Sequence, residues 1–82
     1  MADEQQKPED RLADLPPSAK LVLTVLEEEG TLTQGELAAE TRLPQRTVRD
    51  AARRLREAQI VEERPSFRDA RKRMYRLAVD LR

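Results

Sequence analysis

Two helix starts stand so close together in this sequence that only a tight turn can separate the helices they open. Thr33 and Glu36 form the S/T-x-x-E pattern, in which a hydroxyl and a carboxylate reciprocally satisfy free backbone N–H groups, so a helix begins at about Gln34. It carries Leu37 and Ala38 on one face and runs to about Thr41. Arg42-Leu43-Pro44 is too short to be more than a turn, and Pro44 suits the approach to a new helix N-terminus. The next helix spans roughly Gln45 to Ala58, with Val48, Ala51, Ala52, Leu55 and Ala58 at the spacing of a buried stripe. On the helical wheel Arg46, Asp50, Arg53 and Glu57 point away from that stripe, with Arg49 and Arg56 at the side.

The flanking segments complete one small domain. Pro16 and Pro17 stop any incoming helix, Ser18 is the expected N-cap, and Leu21, Val22, Val25 and Leu26 recur at helical spacing up to Gly30. Gly30 suits a left-handed C-terminal position, and Thr31-Leu32 is expected as a very short strand. Downstream, Ile60 and Val61 open a β-branched stretch ending at Pro65, and Met74, Tyr75, Leu77 and Val79 predict the returning strand of a hairpin. Ser66 to Lys72 is the polar loop between them, with Phe67 expected to pack against the domain and Tyr75 to lie in the core or at the sheet edge. Residues 1–15 are polar and acidic without a sustained period, which predicts a flexible acidic tail, leaving 16–82 as the domain. The expected fold is mainly α with a small β-hairpin: a winged helix-turn-helix of three helices and a two- or three-stranded antiparallel sheet.

Composition narrows the function. Among 82 residues there are one Phe, one Tyr, no Trp and no Cys, so a single aliphatic core must suffice, without disulfides or thiolate metal sites. With no His, no Cys and no glycine-rich phosphate loop, catalysis finds no support, and neither a cofactor nor a metal is expected. No apolar run approaches ~20 residues and no signal-peptide pattern appears, so the expectation is a soluble cytoplasmic protein without membrane contact. The formal net charge is zero, yet residues 1–40 hold three basic residues against ten acids, and residues 41–82 hold thirteen against six, giving −7 and +7. A basic half joined to an acidic one suits a domain that turns one face to a polyanion. Glu27-Glu28-Glu29 reads as a solvated helix end, although three acids there oppose the helix dipole.

Three blocks in order carry a family resemblance: Leu32-Thr33-Gln34-Gly35-Glu36-Leu37-Ala38, Leu43-Pro44-Gln45-Arg46-Thr47-Val48, and Leu55-Arg56-Glu57-Ala58-Gln59-Ile60-Val61. Over roughly Pro16 to Val79 the chain resembles MarR-type winged helix domains, a pattern that TrmB-like and ArsR-like regulators share. The resemblance implies a transcriptional regulator that binds double-stranded DNA, with the second block opening the recognition helix. It assigns DNA contact to Gln45, Arg46, Thr47, Arg49, Asp50 and Arg53, with Thr33 from the first block. Arg46, near the helix start, is suited to a guanine edge, where a guanidinium donates to O6 and N7 together, while Thr47 and Gln45 suit phosphate or a thymine methyl. Asp69-Ala70-Arg71 resembles the family's wing-tip Asp-x-Arg, which implies that Arg71 reaches the minor groove, supported by Arg68, Lys72 and Arg73. For Phe67 in the same loop, packing against the domain is the favoured expectation over insertion between bases.

Two departures from that pattern stand out. Gln59 replaces the Gly common after the recognition helix. Neither end of the chain supplies the long helices with which full-length relatives dimerise and bind ligands, so no small-molecule effector is expected. One helix and one wing bury little surface, which predicts a homodimer across a pseudo-palindrome. A plainer reading makes the Arg-rich face a solvated surface, with Arg53, Arg54 and Arg56 pairing with Asp50 and Glu57, and Asp50 orienting Arg46 or Arg54. The alternative functions are a winged-helix protein–protein interaction module of a larger assembly, its acidic half docking a basic partner, and RNA binding through the basic face.

Overall fold

Each helix ends, and the middle one also begins, where the chain satisfies backbone groups that the helix itself leaves free. The computed structural model describes residues 14–78. Along them run α1 (Pro17–Glu29), β1 (Leu32–Thr33), α2 (Gln34–Thr41), α3 (Gln45–Glu57), β2 (Val61–Pro65) and β3 (Arg73–Leu77). Of the flexible tail expected over 1–15, residues 1–13 lie outside the described residues, as does the continuation of the last strand to Val79, while Leu15 is half-buried against the apolar core instead of belonging to a tail.

Helix α1 departs from expectation at its start. Ser18 is not the N-cap; that place falls to Pro16 in extended conformation, whose carbonyl accepts from the N–H groups of Ala19 and Lys20 at 3.0 and 3.1 Å. Pro17 suits the first helical position because it has no N–H to satisfy and its φ is already helical. At the other end Gly30 takes φ +92° and donates to Leu26 at 2.9 Å, a backbone that a side chain would strain. The short strand falls one residue later than expected, at Leu32–Thr33, because β3 pairs Leu32 with Tyr75 and Thr33 with Met74.

Helix α2 has its capping box intact: Thr33 Oγ1 accepts from Glu36 N at 3.1 Å, and Thr33 N donates to Glu36 Oε1 at 2.8 Å. It closes through Arg42, left-handed at φ 61°, whose N–H reaches the Ala38 carbonyl at 2.8 Å. Helix α3 closes through the same backbone device in fuller form. Gln59 N–H donates to Arg56 O and Ile60 N–H to Leu55 O, each at 2.9 Å, with Gln59 left-handed at φ 63°. Ala58 therefore caps α3 and is half-buried, where the periodicity had placed it in the buried stripe.

The sheet is antiparallel in the order β1-β3-β2, with Val61 opposite Leu77, Glu63 opposite Tyr75 and Pro65 opposite Arg73. Alternation along β3 buries Tyr75 against the helices and turns Met74 and Arg76 outward. One apolar core joins Ala19, Val22 and Leu26 of α1, Leu37 of α2, Val48, Ala51, Ala52 and Leu55 of α3, and Ile60, Val61 and Tyr75 of the hairpin. Phe67 does not pack against the domain. It sits beyond the last ladder pair, where no second layer lies beneath the loop, and it is 97% exposed. None of the described helices is long and apolar enough to cross a membrane.

The left-handed Gln59 makes a stability test. Gln59→Gly relieves a steric cost of about 1–2 kcal/mol against about 0.4–1 kcal/mol of added unfolded-chain entropy. Urea unfolding should show a net gain of roughly 0.5–1 kcal/mol, whereas Leu55→Ala, which empties a fully buried site, should lose about 2–5 kcal/mol. A Gly variant with a lowered midpoint contradicts the left-handed cap.

Candidate functional site

Pairing between α2 and α3 sets the shape of the exposed basic surface. The three-residue turn brings the first turns of both helices side by side, and Gln34 Nε2 donates to Gln45 Oε1 at 3.2 Å across them. From the other side the hairpin loop closes in, so that Thr33, Gln34, Gly35 and Gln45 line one shallow cleft with Arg71, Lys72 and Arg73. The start of α3 and the loop thus share a surface. Thr33 lies in the same cleft, though its hydroxyl already accepts the capping bond from Glu36. Thr47 is half-buried behind this rim, whereas Gln45, Arg46 and Arg49 are exposed.

Carboxylates divide the cations into two groups. On the C-terminal half of α3, Asp50 holds Arg53, and its other oxygen accepts from Arg54 Nε at 3.2 Å. Arg53 also donates to Glu57 at 3.2 Å. Asp50 was expected beside Arg46 or Arg54, and it has Arg53 and Arg54, because the i,i+3 and i,i+4 positions lie on its own face one turn on. Arg56, expected to pair within the helix, instead crosses to Glu63 of β2, which also accepts from Arg73 at 3.2 Å. Glu62 holds Arg64 and Arg76 at 2.8 and 3.0 Å on the outer side of the sheet.

The second group has no carboxylate within reach among the described residues: Lys20, Arg42, Arg46, Arg49, Arg68 and Lys72. The plain reading of a self-neutralised face therefore describes the C-terminal half of α3 and not its N-terminal half. Arg42 was read only as part of the turn. In the sequence it is one more arginine beside the second block, and only the left-handed close of α2, φ 61°, shows how the turn carries it.

The loop between β2 and β3 is held by its own hydrogen bonds. Ser66 N–H donates to Lys72 O and Lys72 N–H to Asp69 O, each at 2.9 Å, and Arg68 N–H donates to Ser66 Oγ at 3.2 Å. Asp69 accepts from the Arg71 backbone at 3.0 Å and from Arg71 Nε and Nη2 at 3.1 and 3.3 Å. A forked contact of this kind fixes the direction of a guanidinium that is still 91% exposed. The contact to Arg71 also lowers the Asp69 pKa below its ordinary 3.8. Hydrogen bonds from Arg53 and then Arg54 lower Asp50 likewise, and those from Arg64 and then Arg76 lower Glu62 below 4.5. Burial, with the nearby Glu63 charge adding to it, raises the Tyr75 hydroxyl.

The MarR family pattern matches residues 13–72 of the chain. Among solved structures, YusO from Bacillus subtilis superposes with TM-score 0.73 at 24% identity, covering 77% of this chain and 45% of that one. The PcaV transcriptional regulator of Streptomyces coelicolor, in complex with its natural ligand, gives TM-score 0.74 at 22% identity over 78% of this chain and 45% of its own. A mutant MarR from E. coli, complexed with operator DNA, gives 0.73 at 22% identity over 79% and 46%. These likenesses establish the fold, and the chain spans about half the length of the structures it matches. Curated protein sequences give no significant match. With most of its length matched, the chain belongs to the MarR family.

The lowered carboxylates predict the acid limb of stability. A carboxylate whose folded pKa lies below its unfolded value stabilises the fold above the unfolded value, and that contribution is lost as pH falls through the folded one. Stability in low salt should therefore hold down to about pH 4.5 and fall below it. Carboxyl-carbon NMR titration should place the midpoints of Asp50 and Asp69 under 3.8 and that of Glu62 under 4.5; midpoints at or above those values contradict the ion pairs.

Proposed function

We propose that this MarR-family domain binds double-stranded DNA as a transcriptional regulator, with α3 in the major groove and the 66–72 loop at the adjacent minor groove. The observation that carries this reading is the division of the cations: apart from Lys20 on α1, those left without a carboxylate among the described residues lie on the turn before α3, on its N-terminal half and on the loop that faces it. A major groove about 12 Å wide admits one helix, and α3 presents the required exposed first turn with its small residues turned inward. Arg46 is positioned to donate to a guanine edge, with Gln45, Thr47 and Arg49 beside it. Asp50 orients Arg53 from the helix side, and Arg42 adds a charge at the turn. Asp69 aims Arg71 at the minor groove, with Arg68 and Lys72 on its phosphates and Arg73 behind them.

Binding is by two copies of the chain, because a single helix and loop read only a few base pairs. The domain taken to bind is 16–82, and the acidic 1–15 segment is given no DNA contact in this reading. Titration of labelled duplex at two salt concentrations should give a log–log slope near −4 to −5, as about four to six neutralised phosphates require. Selection of bound duplexes from a random pool should return a two-fold symmetric motif. Arg46→Ala should cost about 1–3 kcal/mol at one base pair, and Arg71→Ala should relax preference in an A/T-rich flank. Absence of binding at ~50 mM salt would sink the reading, and variants that bind like the parent would remove these contacts.

A further inference from the structure

The chain's single phenylalanine is the most exposed large apolar residue among the described residues: Phe67 is 97% exposed, against 40% for Leu21. Its backbone is fixed. The Ser66–Lys72 bond continues the ladder one step past Pro65 and Arg73, the Arg68 N–H is tied to Ser66 Oγ, and Asp69 clasps Arg71. The loop therefore holds the ring out in water, at the rim of a shallow groove that Phe67 lines together with Pro65 and Met74. An aromatic ring kept exposed by an ordered backbone gains free energy only from a partner that removes it from water.

The surrounding charges identify that partner. Arg68 and Lys72 have no carboxylate within reach among the described residues, and the Arg71 guanidinium is 91% exposed, with Asp69 the only acid of the loop. An apolar protein surface covering Phe67 would strip water from these cations without pairing them, which is costly. A phosphate backbone pairs them while the ring leaves water, and proteins that read the minor groove insert apolar wedges between base steps and kink the duplex.

We propose that Phe67 is an apolar wedge that enters DNA at a base step beside the minor-groove position of Arg71, unstacking that step and bending the duplex. This rests on the DNA-binding reading above, to which it adds a second contact on the loop that works by stacking rather than by charge.

The test uses the full chain and a duplex recovered from the random pool, with dyes at its two ends to report bending and aminopurine in its A/T flank to report unstacking. Wild-type protein should bring the dyes together and brighten aminopurine. Phe67→Ser should abolish both responses and weaken binding about tenfold, with the salt slope unchanged because no cation is lost. Phe67→Leu, which keeps an apolar wedge, should restore both responses. Because the side chain supports no core contact, circular dichroism of both variants should match the parent. Wild-type binding without bending or unstacking overturns the wedge alone, as does a Phe67→Ser variant that bends and unstacks like the parent. Failure of wild-type protein to hold any duplex overturns the wedge and the DNA-binding reading together.

Discussion

The close seat of α3 on α1 governs what the domain can present. Ala19 on α1 and Ala51 and Ala52 on α3 are buried to 1% or less, and α1 packs on α3 more extensively than on any other helix. Small residues let two helix backbones approach, and the larger Val22, Leu26, Leu37 and Leu55 fill the remaining space. Because the core side of α3 is committed in this way, its other side is fixed by geometry. Residues at the helical offsets of the stripe must go inward, so Arg46, Arg49 and Asp50 must face water. The exposed basic face is a consequence of the packing.

Folding a chain with thirteen arginines confronts a second constraint, since like charges on adjacent helix turns repel. The structure meets it unevenly. Asp50 and Glu57 neutralise the C-terminal half of α3, Glu62 and Glu63 neutralise the sheet, and Asp69 restrains the loop. Each of these exposed pairs contributes little to stability on its own. Their larger effect is on direction: apart from Lys20 on α1, the described cations left unpaired lie on the turn before α3, on its N-terminal half and on the loop. An overall charge of zero is compatible with a strongly polar surface for this reason.

Much of this was legible in the sequence because the signals were local. The capping box at Thr33 and Glu36, the alanine-rich period of α3 and the span of the polar loop all depend on residues a few positions apart, and the observed boundaries of α2 and of the loop agree with them. What the sequence did not disclose depends on distant partners. Arg56 has an acid within its own helix and pairs instead with Glu63, because the end of α3 brings β2 alongside it. Phe67 looked like core by residue type, but burial requires a layer to pack against, and the loop outruns the sheet. Ser18 looked like a cap by residue type, but the two prolines before it had already set the helical entry. Gln59 carried the opposite lesson: it accepts the left-handed backbone that glycine would favour, since Ile60, bonded to Leu55 and fully buried, holds the turn from beyond.

That turn links the two parts of the candidate site. Ile60 enters the core immediately after α3, so the departure of β2 is fixed by apolar packing. Glu63, three residues on, then accepts from Arg56 of α3 and from Arg73 of β3, while standing opposite the buried Tyr75 in the ladder. Its side chain is 21% exposed, less than any other carboxylate in these pairs, and partial burial strengthens ion pairs that water would otherwise screen. One carboxylate thus ties the helix to both strands of the hairpin at the level where the core ends. The loop is carried on strands whose separation from α3 is fixed twice over, by packing at Ile60 and by charge at Glu63. A surface carried on two elements gains from such fixing when it binds a stiff partner, because the geometry is set by the fold before any partner arrives.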